Sequence, residues 1–450
     1  MKKVHVVSLG CPKARVDTEV MVGLLQREGC TLVADPAAAE VIVVNTCGFL
    51  QTAAQESVDT ILELAQHKQQ GNCRRLIVTG CLVQRYAGEI EPELPEVDTF
   101  LGTGSFQRIA AAVNGTLRRR SYIRSGSFLY DEEMPRTNTV RGATAYVKVA
   151  EGCSRSCSFC IIPKIRGRQR SRPLDSVVAE ARRLAATGVA EIILVAQDLT
   201  SYGTDIGLGR DGLGDLVDAL ESVDGLHWVR LLYLYPWNVS ERLISALGRG
   251  GKLLPYVDMP LQHINDRVLK AMRRNVLRGE QERLIAALRR GVPDLTLRTT
   301  FIAGFPGETE QEFGELLSWV QEASFDRVGV FPYSPEEGTP AHELPDQVPE
   351  EIRQERANLL MAAQQPIALR RNEALLGREL EVLVDGVSEE HEYVLEARHK
   401  GQAPEIDGCV YLSFDEYGEP VEAGQRARVL IEEATPYDLR GVVMEAVVGR

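Results

Sequence analysis

Glu151-Gly152-Cys153-Ser154-Arg155-Ser156-Cys157-Ser158-Phe159-Cys160 packs three cysteines into eight residues and supplies no fourth. A closed zinc or iron–sulfur site takes four protein ligands, whereas a metal that does chemistry keeps a position open. Three thiolates can hold three irons of a 4Fe–4S cube and leave the fourth iron free for a substrate or cofactor. The alternative at this point is a zinc knuckle completed by a distant His or Cys.

The surroundings of the triplet decide the fold. It follows the apolar run Ala145–Ala150, the first of six strand-then-helix units between Arg141 and Arg371. The later strand candidates are Glu191–Ala196, Trp228–Tyr233, Pro255–Met259, Leu297–Ile302 and Arg327–Phe331. Consecutive βα units with no return strand predict a partial (βα)6 barrel whose strand C-termini form the working face. Asp175 or Ser176 is expected to cap the helix after the triplet, and Gly188 to stop it. Gln197-Asp198, Tyr235-Pro236, Leu261-Gln262-His263, Ala303–Glu308 and Pro332-Tyr333-Ser334 fall just past strands. For His263, Asp258 and Gln262 a structural hydrogen-bonding role is expected.

Up to about Gly115, β-branched runs alternate with helical stretches: Val4–Leu9, Val41–Val44 and Leu76–Thr79, followed by helices such as Asp17–Glu28 and Thr52–His67. That pattern predicts an open parallel sheet. Cys11, Cys47 and Cys81 each sit just past one of these strands, where neighbouring strand ends form the ligand crevice of an open α/β sheet. Adjacent strands lie roughly 5 Å apart, so three loop-borne thiolates can converge on one cluster. Gly10, Gly48 and Gly80 allow close backbone approach. Cys73 precedes its strand, eight residues or roughly 25 Å from Cys81 in extended chain. Cys73, Cys30 and Cys409 are read as small hydrophobes.

From about Asn372 short alternating runs, Glu379–Val384, Tyr393–Arg398, Cys409–Phe414 and Ala427–Glu432, predict a small antiparallel β-barrel. This segment carries 18 acidic and 7 basic residues, so −11 of the chain's net −13. The overall charge weighs against a surface that grips nucleic acid throughout. Nine cysteines, an odd number, argue against a disulfide framework. No apolar run reaches membrane-spanning length, and the run ending at Gly10 is too short for a signal-peptide core, so a cytoplasmic location is expected. Walker-type loops, HExxH and GxSxG are absent.

Cys153-x3-Cys157-x-Phe159-Cys160 after a barrel strand resembles the radical S-adenosylmethionine superfamily. The resemblance implies that S-adenosylmethionine chelates the open iron and is cleaved to a 5′-deoxyadenosyl radical. It also implies that Phe159 packs near the adenine, and that Gln197, Asp198, Gly304 and Phe305 lie where family members contact the cofactor, unless they are plain strand-end turns. Two three-cysteine sets, one in an N-terminal α/β unit and one in a radical barrel, followed by a small barrel, resemble the methylthiotransferases over essentially the whole chain. The units implied are 1–117 (methylthiotransferase α/β domain), 118–138 (linker), 139–371 (radical barrel) and 372–440 (TRAM-like barrel). A second 4Fe–4S cluster on Cys11, Cys47 and Cys81 is implied to carry the sulfur that is methylated and transferred. An electron donor such as flavodoxin or ferredoxin is implied as well.

Ser8–Glu19, Asn45–Phe49 and Ala403–Gly408 look like the branch that methylthiolates an aspartate β-carbon of ribosomal protein S-twelve. Ala14 departs from the Asn expected there. A barrel carrying −11 should repel phosphate and attract a basic protein. Against this stand Lys164, Arg166, Arg168, Arg170 and Arg172, with Arg118–Arg120. They are either a solvated face or a groove for the cofactor carboxylate or nearby ribosomal RNA. The alternatives are a tRNA (adenosine) methylthiotransferase and, from another class, a non-catalytic metal-cluster RNA-binding protein.

Overall fold

The computed structural model describes residues 1–388, 394–414 and 420–447. Its first sheet holds β1 (Lys3–Ser8), β2 (Thr31–Leu32), β3 (Val41–Thr46), β4 (Arg75–Gly80), β5 (Thr99–Gly102) and β6 (Ser121–Tyr122). All pairs are parallel, in the order β2-β1-β3-β4-β5-β6. The segment 118–138, read above as a linker, thus contributes the edge strand β6.

The second sheet begins with β7 (Thr144–Lys148). After it come β8 (Ala150–Glu151) and β9 (Arg170–Ser171), which pair with each other around the cysteine triplet. The sheet continues through β10 (Glu191–Val195), β11 (Trp228–Leu231), β12 (Leu253–Asp258), β13 (Thr296–Ala303) and β14 (Arg327–Pro332). Its six strands run parallel as β7-β10-β11-β12-β13-β14, an open-sided barrel.

The third unit is a closed barrel of β15 (Glu379–Val387), β16 (Leu395–His399), β17 (Val410–Phe414), β18 (Arg426–Ala434) and β19 (Leu439–Val447). Four of its ladders are antiparallel, and β17 pairs with β19 in parallel. An odd number of strands cannot alternate direction all the way round a closed ring, so one parallel pair is unavoidable. Tyr393, expected in the second of these strands, and six of the 18 acidic residues (Glu389, Glu390, Glu392, Asp415, Glu416 and Glu419) lie outside the described residues.

Side-chain alternation explains how the first two units join. Along β7 and β10, Ala145, Val147, Ile192 and Leu194 pack outward against the barrel's own helices. Tyr146, Ile193 and Val195 point inward, as the two-residue period of a strand requires. The inner face is not left hollow. Val16, Val20, Met21 and Leu24 of helix Pro12–Arg27 pack into the same core as Tyr146, Ile193, Val195 and Tyr256. The helix that starts at Cys11 therefore lies against the barrel's inner face. The third unit also reaches this space: Tyr256 donates to Asp407 (2.7 Å), and Arg15 pairs with Glu405.

The helix after the triplet runs Leu174–Ala186 behind Pro173, with no side-chain cap. The expected cap by Asp175 or Ser176 does not form, because the helix starts earlier, at Leu174, and puts both residues inside its first turn, where the Ser176 hydroxyl accepts from Arg172 (2.9 Å). Gly188, at φ +95°, ends the segment as expected. Among the described residues no helix is long and apolar enough to cross a membrane.

Candidate active site

The barrel triplet occupies the loop between β8 and β9. The Cys153 amide donates to Gly167 O (3.0 Å), and the Cys160 amide to Cys157 O (3.2 Å). Ser158 anchors the loop through its amide to Met272 O (3.0 Å) and its hydroxyl to Ala271 O (2.7 Å). The sulfurs face donors: the Arg155 amide lies 3.4 Å from Cys153 Sγ, and Arg274 Nη1 lies 3.7 Å from Cys157 Sγ. Tyr235 is held between the Arg155 and Arg274 guanidinium groups, 4.3 and 4.0 Å from its ring centre.

The residues picked out for cofactor contact fall in two groups. Phe159 packs on an apolar cluster that contains Phe305, and Phe305 meets Tyr333 edge-on at 5.4 Å. The Gly304 amide donates to both Glu308 carboxylate oxygens (3.1 Å each). Glu308 is buried, is paired with Arg356 (2.8 Å), and lies 3.4 Å from His263 Nε2. On the opposite side Gln197 donates to Glu151 (2.9 Å) and leaves its own carbonyl oxygen buried without a partner. Asp198 is buried and already accepts from Arg155 (2.7 Å), Thr200 and Ser201. Asp258 accepts from Arg298 (2.8 Å) and the Tyr233 amide (2.9 Å), and His263 Nδ1 accepts from the Asn265 amide (3.0 Å).

The other three cysteines sit past the adjacent strands β1, β3 and β4. Cys11 is the N-cap residue of helix Pro12–Arg27, and Cys81 opens helix Cys81–Glu93. The loops crowd one another. A Cβ on Gly10 would lie 3.0 Å from Cys47 Cβ and 3.3 Å from its Sγ, and Gly10 has φ +95°. A Cβ on Gly48 would stand 2.7 Å from Leu82 Cα, so only glycine lets the Cys47 loop close on the Cys81 loop. Cys73 is buried with its thiol on Arg75 O (3.3 Å), while Cys30 and Cys409 are half-buried.

Arg166, in the loop that carries the barrel triplet, reaches the other set. Its guanidinium donates to Cys81 Sγ (3.3 Å), Asp17 (2.9 Å) and Glu151 (3.1 Å). Lys148, fully buried, pairs with the same two carboxylates. Burial would push the Glu151 carboxyl up, but Arg166 and Lys148 together bring it down to about 2, so it is ionised. Burial likewise raises the thiols: Cys81 and Cys153 to about 11, and Cys160 to about 12. Cys11 is the exception. Burial pushes it up, but Lys13 and Arg166 outweigh that and hold it below the ordinary thiol value. Burial lowers Lys13, with Cys11 acting the other way.

Of the five cations after the triplet, Arg166 and Arg172 are buried in ion pairs, Arg172 with Glu180. With two of the five buried, they form neither a wholly solvated face nor a single five-residue basic groove. Lys164, Arg168 and Arg170 remain exposed. Arg120 is spent on the carbonyls of Glu91, Leu94 and Val97. Arg274, Lys148 and Glu151 were not singled out by the sequence reading, because nothing local marks a residue as buried against a distant element.

Each triplet offers the donor type that iron–sulfur clusters take. All nine cysteines are free thiols, and each triplet is all sulfur with basic groups beside it. Among the described residues no three His, Cys, Asp or Glu side chains close on one point for a single metal ion. Thiols on separate irons of a cube stand farther apart than the ligands of one zinc. Iron takes the thiolate form of cysteine, so loading a cluster displaces the thiol protons.

Lys148→Met should test the network. It leaves Asp17 and Glu151 buried with Arg166 alone, and breaking one arm of a buried pair costs about 3–5 kcal/mol. Denaturant unfolding should show that loss; a change below ~1 kcal/mol would mean water replaces the ammonium.

Residues 3–102 match the Uncharacterized protein family UPF0004, residues 147–320 the Radical SAM superfamily, and residues 376–444 the TRAM domain. The chain is similar to the ribosomal protein uS12 methylthiotransferase RimO of Anaeromyxobacter sp. (strain K). Identity is 50% over 442 residues, covering 98% of this chain and 93% of that one. It is 48% identical to the protein of the same name from Geobacter sulfurreducens, covering 98% and 99%. Among solved structures it resembles the radical S-adenosylmethionine methyltransferase TsrM of Kitasatospora setae, with TM-score 0.57, 15% identity, and 84% and 79% of the two chains covered. That likeness speaks for the fold. The radical family brings one 4Fe–4S cluster and S-adenosylmethionine with it. With about half of its residues identical to such relatives over nearly the whole of both chains, and a radical S-adenosylmethionine match across the barrel, the chain belongs to the RimO family of radical S-adenosylmethionine methylthiotransferases.

Proposed function

We propose that this chain inserts a methylthio group at the β-carbon of an aspartate in ribosomal protein uS12. Cys153, Cys157 and Cys160 hold one 4Fe–4S cluster, and Cys11, Cys47 and Cys81 hold a second. The observation that carries the reading is the pair of three-thiol sets, each past parallel strand ends, with the barrel-triplet loop reaching the other set through Arg166 on Cys81 and Ile161 and Ile165 packed against Cys81. Loaded with S-adenosylmethionine, the barrel cluster supplies the one-electron chemistry that opens an unactivated C–H bond. The chain's own residues arrange the rest. Phe159 and Phe305 offer an apolar wall for the adenine. The Gly304 turn lets backbone approach the cofactor, with Arg353 behind it. Gln197 has a free carbonyl oxygen, and Asp198 is held in place by Arg155.

The functional units are 1–117 with the segment 118–138, which adds β6 to the first sheet, 139–371, and a last barrel from 372 that ends not at 440 but with β19 at Val447. The −11 charge of the last segment favours a basic protein partner over RNA. Part of that charge is spent within the fold, on pairs such as Asp385–Arg398 and Glu381–Arg426. Lys164, Arg168 and Arg170 form the exposed basic strip that would face ribosomal RNA, and a flavodoxin or ferredoxin supplies the electron. The substrate places the enzyme in the cytoplasm.

The test is an anaerobic reaction of reconstituted enzyme with S-adenosylmethionine, sulfide and reductant, offering uS12 and tRNA in parallel. The expected result is a methylthio mass gain on an aspartate of uS12 and none on tRNA. A gain on tRNA alone would overturn the substrate and the charge argument together.

A further inference from the structure

Lys13, the second residue of helix Pro12–Arg27, is only 8% exposed. The cations that share this space are all paired. Lys148 and Arg166 hold Asp17 and Glu151, and Arg298 holds Asp258. Lys13 is different: among the described residues no carboxylate forms an ion pair with it and no acceptor takes a hydrogen bond from its Nζ. A buried ammonium ordinarily has such a partner. Lys13 instead lies over the Tyr233 ring, 3.3 Å from its centre. A ring face replaces only part of what a carboxylate gives.

Tyr233 is held there at a cost. Its φ is +65°, the left-handed region that a bulky side chain seldom adopts. Its amide is fixed by Asp258 Oδ2 (2.9 Å). Asp258 is thereby occupied by Tyr233 and Arg298, and Glu151 by Lys148 and Arg166. The fold has supplied acidic residues around Lys13 and committed each of them elsewhere.

We infer that Lys13 binds the side-chain carboxylate of the target aspartate and sets its β-carbon beside the Cys11, Cys47 and Cys81 sulfurs. This rests on the uS12 reading above. The β-carbon is bonded directly to the carboxylate carbon, so a cation next to Cys11 that holds the carboxylate fixes the reacting carbon one bond away. Orientation of that kind is a large part of what a site contributes to rate. The same cation rejects a neutral adenine ring, which offers it no anion and would leave it buried and unpaired.

The test compares binding of intact uS12 with that of uS12 carrying Asn at the modified position, by fluorescence anisotropy on cluster-loaded enzyme. Wild type should prefer the aspartate form by ~30-fold or more, the scale for losing one partner of a desolvated charge pair. Lys13→Met, with native iron content, should lose that preference, and Lys13→Arg should keep part of it. A Lys13→Met enzyme that still prefers aspartate overturns the assignment. So does a wild-type enzyme that modifies uS12 yet binds the Asn form equally well, a comparison that needs no variant. A wild-type enzyme that neither binds nor modifies uS12 overturns the substrate reading instead, and the role of Lys13 falls with it.

Discussion

Cys157→Ala is expected to reduce 5′-deoxyadenosine formation to background, with or without uS12 present. The iron content should fall to about half, because one of two clusters is lost. The chain should still fold. Cys157 is half-buried, its loop is pinned by Ser158 to the backbone of Ala271 and Met272, and Phe159 keeps its apolar contacts. Substitutions away from core packing and buried charge usually cost little. Cys73→Ala is the matched control. That thiol is buried against Arg75 O on another element, so its loss should leave both products unchanged. Liquid chromatography of the nucleoside product on anaerobically reconstituted protein reads the outcome directly. Cleavage surviving in Cys157→Ala would remove this cysteine from the cluster and reopen the assignment of the whole triplet.

The features that support this prediction were legible in the sequence because they are local. Cysteine spacing and β-branched runs fix which residues follow a strand, and the parallel order β1-β3-β4 then puts Cys11, Cys47 and Cys81 on neighbouring ends. Arg166 shows where that logic stops. In the sequence it is one of five similar cations; in the fold it is buried between Cys81, Asp17 and Glu151, which lie 85, 149 and 15 residues away. Local pattern carries no information about such pairings. The same holds for helix Pro12–Arg27. Its apolar positions announce a buried face but not that the cover is the inner side of a barrel more than a hundred residues downstream. The Ser176 cap failed for a different reason: Pro173 and Leu174 start the helix earlier, so Ser176 lies inside the first turn and its hydroxyl accepts from Arg172 instead. Lys13 was visible only as part of a motif, since an unpaired buried charge can be recognised only once its neighbours' partners are known.

Cys47→Ala is expected to separate the two halves of the reaction. Methylthio transfer to uS12 should disappear, while 5′-deoxyadenosine should still form. Cys47 and the barrel thiols lie past strands of different sheets, and the contact from the barrel-triplet loop to the other set is made by Arg166 to Cys81, not to Cys47. Neither Arg166 nor Glu151 is bonded to Cys47, whose amide is held instead by the Ser57 hydroxyl (3.1 Å). Losing the Cys47 sulfur therefore leaves the barrel loop, the Arg155–Asp198 pair and the Phe159 wall untouched. The uncoupled cleavage would consume S-adenosylmethionine without product, so the ratio of deoxyadenosine to methylthiolated uS12 should rise without limit. Retained sulfur transfer would show that Cys47 holds no cluster. If cleavage were lost as well, the two sets would be coupled more tightly than through Cys81 alone. The Asp17–Lys148–Glu151–Arg166 network would then be the element that transmits the damage, and Lys148→Met should reproduce the same double loss.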